Sequence, residues 1–469
     1  MAGDGEQRRR GRTAAGAERL RAGDEAATAG GGATTAEGGA ATTGDEAAAV
    51  AGNRAQRRRR ETREMRERVR ALGAVLDSWH HRGTEAADRP GRCGCPSGSG
   101  GVWRSEDVGQ TGSSRQHRLR RSPAEMGKRD FARAHHVAFF DAMATELPGD
   151  YASQEVNHLT LAYFAVGGLS LLRELDRVNK DEITRWVLSF QVHPEAHGDE
   201  DNGLFYGFCG SKSTQFPLPN VKDPCHNGSH LASTYSALAI LKNVGYDLAN
   251  IDSKSLLSSM KNLQQQDGSF MPIHIGAETD LRFVYCAAAI CSMLDDWTGM
   301  DKLKAKEYIL NCQSYDGGFG MVPGSESHGG GTFCAVAALH LMGFLQADLA
   351  SNLRDSSSID IHMLLEWCLQ RQVTDGGFQG RRNKPSDTCY AFWVGGVLKI
   401  IGAYHLLDHC ALRGFLLTCQ SPYGGFTKFP HNRIPDIYHS YYGLAALSLL
   451  EEEGLEPLCV ELGILSVAL

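Results

Sequence analysis

The sequence predicts an all-α fold, an α/α barrel of repeated helical hairpins behind a low-complexity N-terminal segment. Three observations carry this. A short phrase recurs four times at nearly even spacing. The stretches between its copies alternate between segments that are apolar all round and amphipathic ones. The first 127 residues differ in composition from the rest.

The phrase runs from Gln264 to Phe270 (QQQDGSF), Gln313 to Phe319 (QSYDGGF), Gln372 to Phe378 (QVTDGGF) and Gln420 to Phe426 (QSPYGGF). Its Phe-to-Phe intervals are 49, 59 and 48 residues, and a degenerate earlier copy runs from Gln191 to Phe208, stretched by an insertion. Such a period marks a repeated supersecondary unit. Glycine after Asp or Tyr supplies the positive-φ turn that ends a helix. Leu281 to Leu294 is apolar nearly all round, whereas Lys302 to Cys312 is amphipathic. The first reads as a helix buried on both sides and the second as one facing solvent. Alternation of the two predicts an inner and an outer ring, with an open α-solenoid as the architectural alternative.

Residues 1–127 are rich in Arg, Ala, Gly, Thr and Glu and hold few apolar residues. They cannot bury enough surface to offset ordering entropy and read as disordered, with a short charged helix over residues 61–76. The run Arg57 to Arg60 reads as a solvated tail rather than a nucleic-acid contact. Met126, just before the globular composition begins, is a candidate native start. Residues 128–469 then form the folded domain. A net charge of −7 argues against a nucleic-acid binder. Thirteen cysteines with no CxxC and no apolar signal segment fit a reduced, cytoplasmic protein. Cys93 and Cys95 fall in the low-complexity segment and read as incidental. No apolar run is long enough to span a membrane.

Phase within the repeat singles out a set of polar residues. Arg282 lies 12 residues after its repeat Phe, His328 lies 9 after, Asp387 and Cys389 lie 9 and 11 after, and His439 lies 13 after. Each falls at the start of an inner helix, and in a closed barrel those starts share one rim. Asp387, Cys389 and His439 offer an O, S, N ligand set, and three protein ligands with one open position is the pattern of a catalytic zinc. Residues two apart point about 200° apart on a helix, so Asp387 and Cys389 cannot share an ion from a helix interior but can if Asp387 sits at the N-cap. The bland alternative is a capping Asp, a buried Cys and a packed His. Arg381, Arg382 and Lys384 beside the pair, with His328 one repeat earlier, are suited to phosphate oxygens. Tyr163, Phe164, Phe283, Tyr285, Tyr390 and Trp393 are candidates to line an apolar cavity or simply to fill a core. Asp295 and Asp296 invite comparison with diphosphate–Mg²⁺ motifs, but the next Asp, Asp301, comes too late, and the pair reads as a turn.

Five stretches make the globular part resemble the β subunits of protein prenyltransferases, most of all the type I geranylgeranyl enzymes. They are LTLAYFAVGGL (159–169), ETDLRFVYCAA (278–288), ESHGGGTFC (326–334), GRRNKPSDTCYAFWVGG (380–396) and YHSYYGLAALSL (438–449). The resemblance implies an α/α-barrel β subunit paired with a helical-repeat α subunit. It implies transfer of an isoprenoid from its diphosphate to a cysteine near a protein C-terminus. Asp387, Cys389 and His439 would then be zinc ligands. His328, Arg381, Lys384 and Tyr390 would hold the diphosphate, and Arg282 would lie near the peptide carboxylate.

Thr160 falls where farnesyl enzymes carry a Trp that shortens the lipid pocket, which implies a geranylgeranyl donor. Trp393 is placed with the cavity aromatics. Lys428 falls where the farnesyl enzyme has a Mg²⁺-binding Asp, so a fixed charge would replace Mg²⁺. Tyr438 departs toward the farnesyl pattern, and the loop from Lys428 to His439 is one residue longer, which bears on peptide preference. The expected substrates are C-terminal C-a-a-X sequences, as on small GTPases, with Leu or Phe at X. Rival readings are a farnesyltransferase β subunit, a terpene cyclase without its acidic motif, and a non-catalytic α/α scaffold.

Overall fold

In the computed structural model the repeat phrase is a built joint. The structure describes residues 130–192, 206–212, 229–274, 276–346, 358–430, 432 and 434–468. The low-complexity segment, with the expected helix over 61–76 and Met126, lies outside them. Twelve α-helices are named among the described residues. They are α1 (Arg133–Thr145), α2 (His158–Leu171), α3 (Lys180–Leu188), α4 (Leu231–Asn243), α5 (Ser253–Lys261) and α6 (Leu281–Met293). Then follow α7 (Lys302–Asn311), α8 (Gly329–Leu341), α9 (Ile361–Leu369), α10 (Tyr390–Ile400), α11 (His409–Cys419) and α12 (Ile437–Leu449).

Even-numbered helices form the inner ring. α6 buries eleven of its thirteen residues, whereas α7 buries three of ten. Around the ring α2 packs on α4, α4 on α6, α6 on α8, α8 on α10, α10 on α12, and α12 returns to α2. The ring is closed, so the open solenoid is excluded. Every inner helix ends the same way. A residue of positive φ (Arg173, Gly245, Asp295, Gly343, Gly402 or Glu451) follows it. The next N–H reaches back five residues, as in Tyr246 to the Leu241 carbonyl at 2.9 Å and Asp296 to that of Cys291 at 3.1 Å. Asp295 and Asp296 are therefore a helix-terminating turn.

Each repeat Gln pairs in a β-bridge with its own Phe: Gln264 with Phe270, Gln313 with Phe319, Gln372 with Phe378 and Gln420 with Phe426. The degenerate copy obeys the same rule, with β1 (Gln191–Val192) antiparallel to β2 (Gly207–Phe208) and Gln191 opposite Phe208. The Gln side chain does a second job. Gln313 Oε1 accepts the Asp360 N–H at 3.0 Å while its Nε2 donates to the Gly317 and Asp360 carbonyls. Gln264 holds Asp301 and Gln372 holds Asp408 in the same manner. Asp301, Asp360 and Asp408 are the N-caps of the next outer helices, α7, α9 and α11. Gln420 closes the circle, accepting the Ala132 N–H at 2.9 Å just before α1.

Glycine is required in the turn for two reasons. Gly376 has φ +87°, and a Cβ there would lie 2.2 Å from the Ala411 carbonyl oxygen of the next outer helix. Gly402, at φ +77°, has open space around it. Gly402→Ala should therefore cost only the left-handed backbone penalty, about 1–2 kcal/mol. Gly376→Ala should add a steric cost of about 1–3 kcal/mol by forcing two units apart. Chemical denaturation of the two variants checks this, and equal losses would contradict a joint role for the turn.

Candidate metal and diphosphate site

The repeat joint places the site residues. The His328 N–H donates to the Phe319 carbonyl at 2.9 Å and the Asp387 N–H to that of Phe378 at 3.1 Å. Turn aspartates brace the residue just before: Ser386 Oγ donates to Asp375 Oδ1 at 2.9 Å, and Ser327 Oγ likewise bonds Asp316. Arg282 is the second residue of α6, His328 caps α8, and His439 is the third residue of α12.

One expectation is corrected. The N-cap of α10 is Cys389, already at helical φ −67° and ψ −27°, and not Asp387. Asp387 stands two residues ahead, where its Oδ1 accepts the Cys389 N–H at 3.1 Å. A short Asp side chain can bond the backbone two residues on, and this local turn folds it back over the helix start. Both side chains still face the same point.

One ligand atom from each of Asp387, Cys389 and His439 lies within 4.8 Å of the others. His439 Nδ1 is held by Asp436 Oδ2 at 2.6 Å, which leaves Nε2, 3.2 Å from Asp387 Oδ1, toward the shared point. A carboxylate behind a ligating histidine is the usual outer-shell support of a metal site. The three donors fit a divalent zinc with a position left for an exogenous ligand. Lys428 Nζ stands 3.6 Å from Asp387 Oδ2. It gets there because the Lys428 carbonyl receives the Thr388 N–H at the start of α10, at 3.1 Å.

The second cluster surrounds Tyr390. Its ring is wedged where side chains at 329 and 380 would stand, since a Cβ on Gly329 or Gly380 would meet it at 2.8 and 1.9 Å. Its hydroxyl lies 3.0 Å from His328 Nε2. His328 Nδ1 accepts the Gly330 N–H at 3.1 Å, so Nε2 carries the ring hydrogen. Burial first, then the Arg381 charge, hold the His328 pKa below its ordinary value, so the ring stays a neutral donor. Arg282 acts on His328 in the same direction and so stands in this charge group. Arg282 itself is gripped by Asp280, with Nη2 to Oδ2 at 2.6 Å. Arg381 rests on Glu326 at 3.1 Å. Lys384 is exposed.

A cavity of about 1190 Å³ reaches Arg282 of this cluster and His439 of the other. Thr160, Trp393, Phe283, Tyr438, His439 and Arg282 are among its lining residues. Thr160 Oγ1 faces Ser236 Oγ at 3.3 Å, two small side chains on neighbouring helices. Trp393 Nε1 donates to the Tyr438 hydroxyl at 3.0 Å, and Tyr438 packs edge-on to His439. Gly463, in the turn between β3 (Leu458–Cys459) and β4 (Ile464–Leu465), also lines the cavity. Tyr163 and Tyr441 hydroxyls each donate to the Gly463 carbonyl at 2.7 Å, and Tyr235 to that of Leu462 at 2.8 Å.

Residues 131–464 match the model of the prenyltransferase alpha-alpha toroid domain. The chain belongs to the protein prenyltransferase β-subunit family, on its type I geranylgeranyl branch. It is 64% identical over 335 residues to the geranylgeranyl transferase type-1 subunit beta of Arabidopsis thaliana, covering 71% of this chain and 89% of that one. The Dictyostelium discoideum protein of the same name is 36% identical over 322 residues, 66% of this chain and 88% of that one. Among solved structures, the Candida albicans protein geranylgeranyltransferase-I complexed with GGPP matches with TM-score 0.62 at 27% identity. The match covers 72% of this chain and 97% of that one. The ten cysteines among the described residues are in no disulfide. None of the described helices is long and apolar enough to cross a membrane.

Asp280, Asp436 and His230 escaped the sequence reading. His230 caps α4 as His328 caps α8, its Nδ1 accepting the Ala232 N–H at 3.1 Å. It lies 22 residues after Phe208, against 9 to 13 in the other units, so the repeat phase did not point to it. Asp280 and Asp436 look like ordinary helix caps in sequence, and their second contacts appear only in three dimensions.

Without a metal, burial disfavours charge on His439, but its bonds to Asp387 and Asp436 outweigh this and raise its pKa to about 9. Burial and the adjacent Asp387 push the Cys389 thiol well above its usual range. A group with a raised folded pKa contributes stability below its unfolded value and loses it as pH rises through the folded one. The His439 contribution to the metal-free protein should therefore fade between about pH 6.5 and about pH 9. Zinc uptake at pH 7 should release a proton from each of His439 and Cys389, since ligands bind deprotonated. Calorimetry in buffers of differing ionisation enthalpy reads the release, and zinc binding without proton release would rule out this ligand set.

Proposed function

We propose that the protein is the catalytic β subunit of a heterodimer that attaches a geranylgeranyl group to proteins. The donor is geranylgeranyl diphosphate and the acceptor is the cysteine of a C-terminal C-a-a-X sequence. The partner is a helical-repeat α subunit. The observation that carries this reading is the placement of the Asp387, Cys389 and His439 cluster. Its member His439 lines the apolar cavity, and Tyr390 beside the cluster feels both its Cys389 and Asp387 and the cationic Arg381.

Zinc held by Asp387, Cys389 and His439 would supply the charge that keeps the acceptor thiol ionised at neutral pH. The chain does the rest. The isoprenoid tail lies in the cavity, past Thr160 and toward the tyrosines around Gly463. Its diphosphate meets the His328 Nε2–H, the Tyr390 hydroxyl, Arg381 and Lys384. As the C1–O bond breaks and the S–C1 bond forms, negative charge grows on the departing oxygens. Donors already in place lower that barrier without reorganising. Lys428, beside Asp387, serves as the fixed cation where the farnesyl enzymes use Mg²⁺, so turnover should need no added Mg²⁺. Tyr438 lines the cavity beside His439 and is placed to affect the peptide's apolar positions.

The co-expressed heterodimer should turn over the twenty-carbon diphosphate with Leu-terminated peptides. A better rate with the fifteen-carbon diphosphate would make it a farnesyltransferase instead. Thr160→Trp should reverse the preference by filling the space opposite Ser236. Cys389→Ser should abolish zinc binding and turnover while leaving isoprenoid diphosphate binding within a few-fold. Retained turnover in that variant would sink the mechanism. Lys428→Ala should lower kcat about 10²-fold, the scale of losing one transition-state donor, with the deficit partly restored by Mg²⁺.

A further inference from the structure

The ring has a hidden register. Five inner helices begin by donating an N–H to the carbonyl two residues beyond the repeat Phe of the following unit. Leu159 donates to Gly210 at 3.1 Å, Leu231 to Pro272 at 3.0 Å and Leu281 to Met321 at 3.0 Å. Gly329 donates to Gly380 at 2.8 Å and Thr388 to Lys428 at 3.1 Å. The sixth inner helix, α12, closes onto the first hairpin, where the sequence carries no copy of the phrase. There the Ile437 N–H donates to the Tyr151 hydroxyl at 2.9 Å. A phenol stands where the other joints use the backbone.

At the same seam the repeat Gln bonds the outer helix as it does elsewhere, and a histidine adds a further bond. Gln420 Oε1 accepts the Ala132 N–H at 2.9 Å, and His136 Nδ1 accepts the Gly425 N–H at 3.0 Å. What the seam holds is the metal side of the site. Ile437 is the first residue of α12, Asp436 is its N-cap and His439 its third residue. Tyr151 lies in the 3₁₀ segment Gly149–Asn157 and lines the cavity beside Asp436 and Ile437.

We propose that Tyr151 is a positioning residue for His439. Its hydroxyl fixes the first turn of α12, and with it the Asp436–His439 pair. Closing the ring and assembling the metal group are then one event. A backbone carbonyl is held by the chain on both sides, whereas a phenol is held only by its packing and two side-chain torsions. The inference rests on the metal-dependent reading above, and its test separates the two.

The test uses the full-length chain co-expressed with its α subunit. Tyr151→Phe keeps the ring and removes the acceptor. Zinc affinity, read by chelator competition, should fall about ten-fold, the low end for loss of an outer-shell support. Amide exchange in the metal-free protein should quicken at Ile437 to Tyr441 and stay unchanged at the starts of the other inner helices. With substrates, kcat should fall while KM for the isoprenoid diphosphate holds. The reciprocal variant Ile437→Pro removes the donor at a position where a helix tolerates proline. It should reproduce the zinc shift, and it decides the matter if Tyr151→Phe does not fold. Unchanged zinc affinity together with unchanged local exchange would overturn the proposal, as would a uniform loss of protection. A wild-type protein that takes up no zinc would overturn the functional reading, while the exchange pattern would still judge Tyr151.

Discussion

Everything at the site depends on how one unit of the ring is fastened to the next. The fastener is the repeat Gln, whose amide bonds its own turn and the cap of the following outer helix at once. Each hydrogen bond of this kind is worth only about 1 kcal/mol net, but every copy ties together two units distant in sequence. Gln420 to Ala132 spans 288 residues. Closure turns a row of hairpins into a cavity. The inner helices are too apolar to face water, and only a closed ring hides both of their sides.

Closure also concentrates charge. Four inner helices begin with polar residues, and the ring points them at one mouth. There Asp387 is shared by His439 and Lys428, while His328 is kept neutral between Arg381 and Arg282. A candidate metal cluster and a cationic cluster thus both reach Tyr390, which feels Cys389 and Asp387 as well as Arg381. Neutral His328 donates one directed hydrogen bond, and the guanidinium groups bring the charge. The apolar wall of Trp393 and Tyr438 beside them keeps the dielectric low, which strengthens both sets.

The cluster of Asp387, Cys389 and His439 and the repeat were legible in sequence because both recur or cluster along the chain. Asp387 and Cys389 are two residues apart, and His439 was found by its distance from Phe426. Less was legible about what holds them. Asp436 has the look of a common helix cap, and its grip on His439 Nδ1 depends on a side-chain torsion that no spacing encodes. Tyr151 sits in a hairpin without the phrase, so no phase pointed to it. The C-terminal hairpin, whose turn residue Gly463 lines the cavity, has strands of only two residues each, below what an alternating pattern can reveal. The placement of Asp387 ahead of the cap, with Cys389 at it, turned on a single local turn.

By itself the sequence determined the period, the alternation of inner and outer helices, and the residue types at each inner-helix start. Those are local properties, set by turn chemistry and by which faces of a helix are apolar. Tertiary structure alone decided that the ring closes, that six helix starts therefore share one mouth, and that Lys428 stands within reach of Asp387. The physical reason is that closure is a long-range bond between the two ends of the repeat array. At that seam the repeat Gln still fastens the outer helix, but the backbone carbonyl that receives the inner-helix N–H is replaced by the Tyr151 hydroxyl.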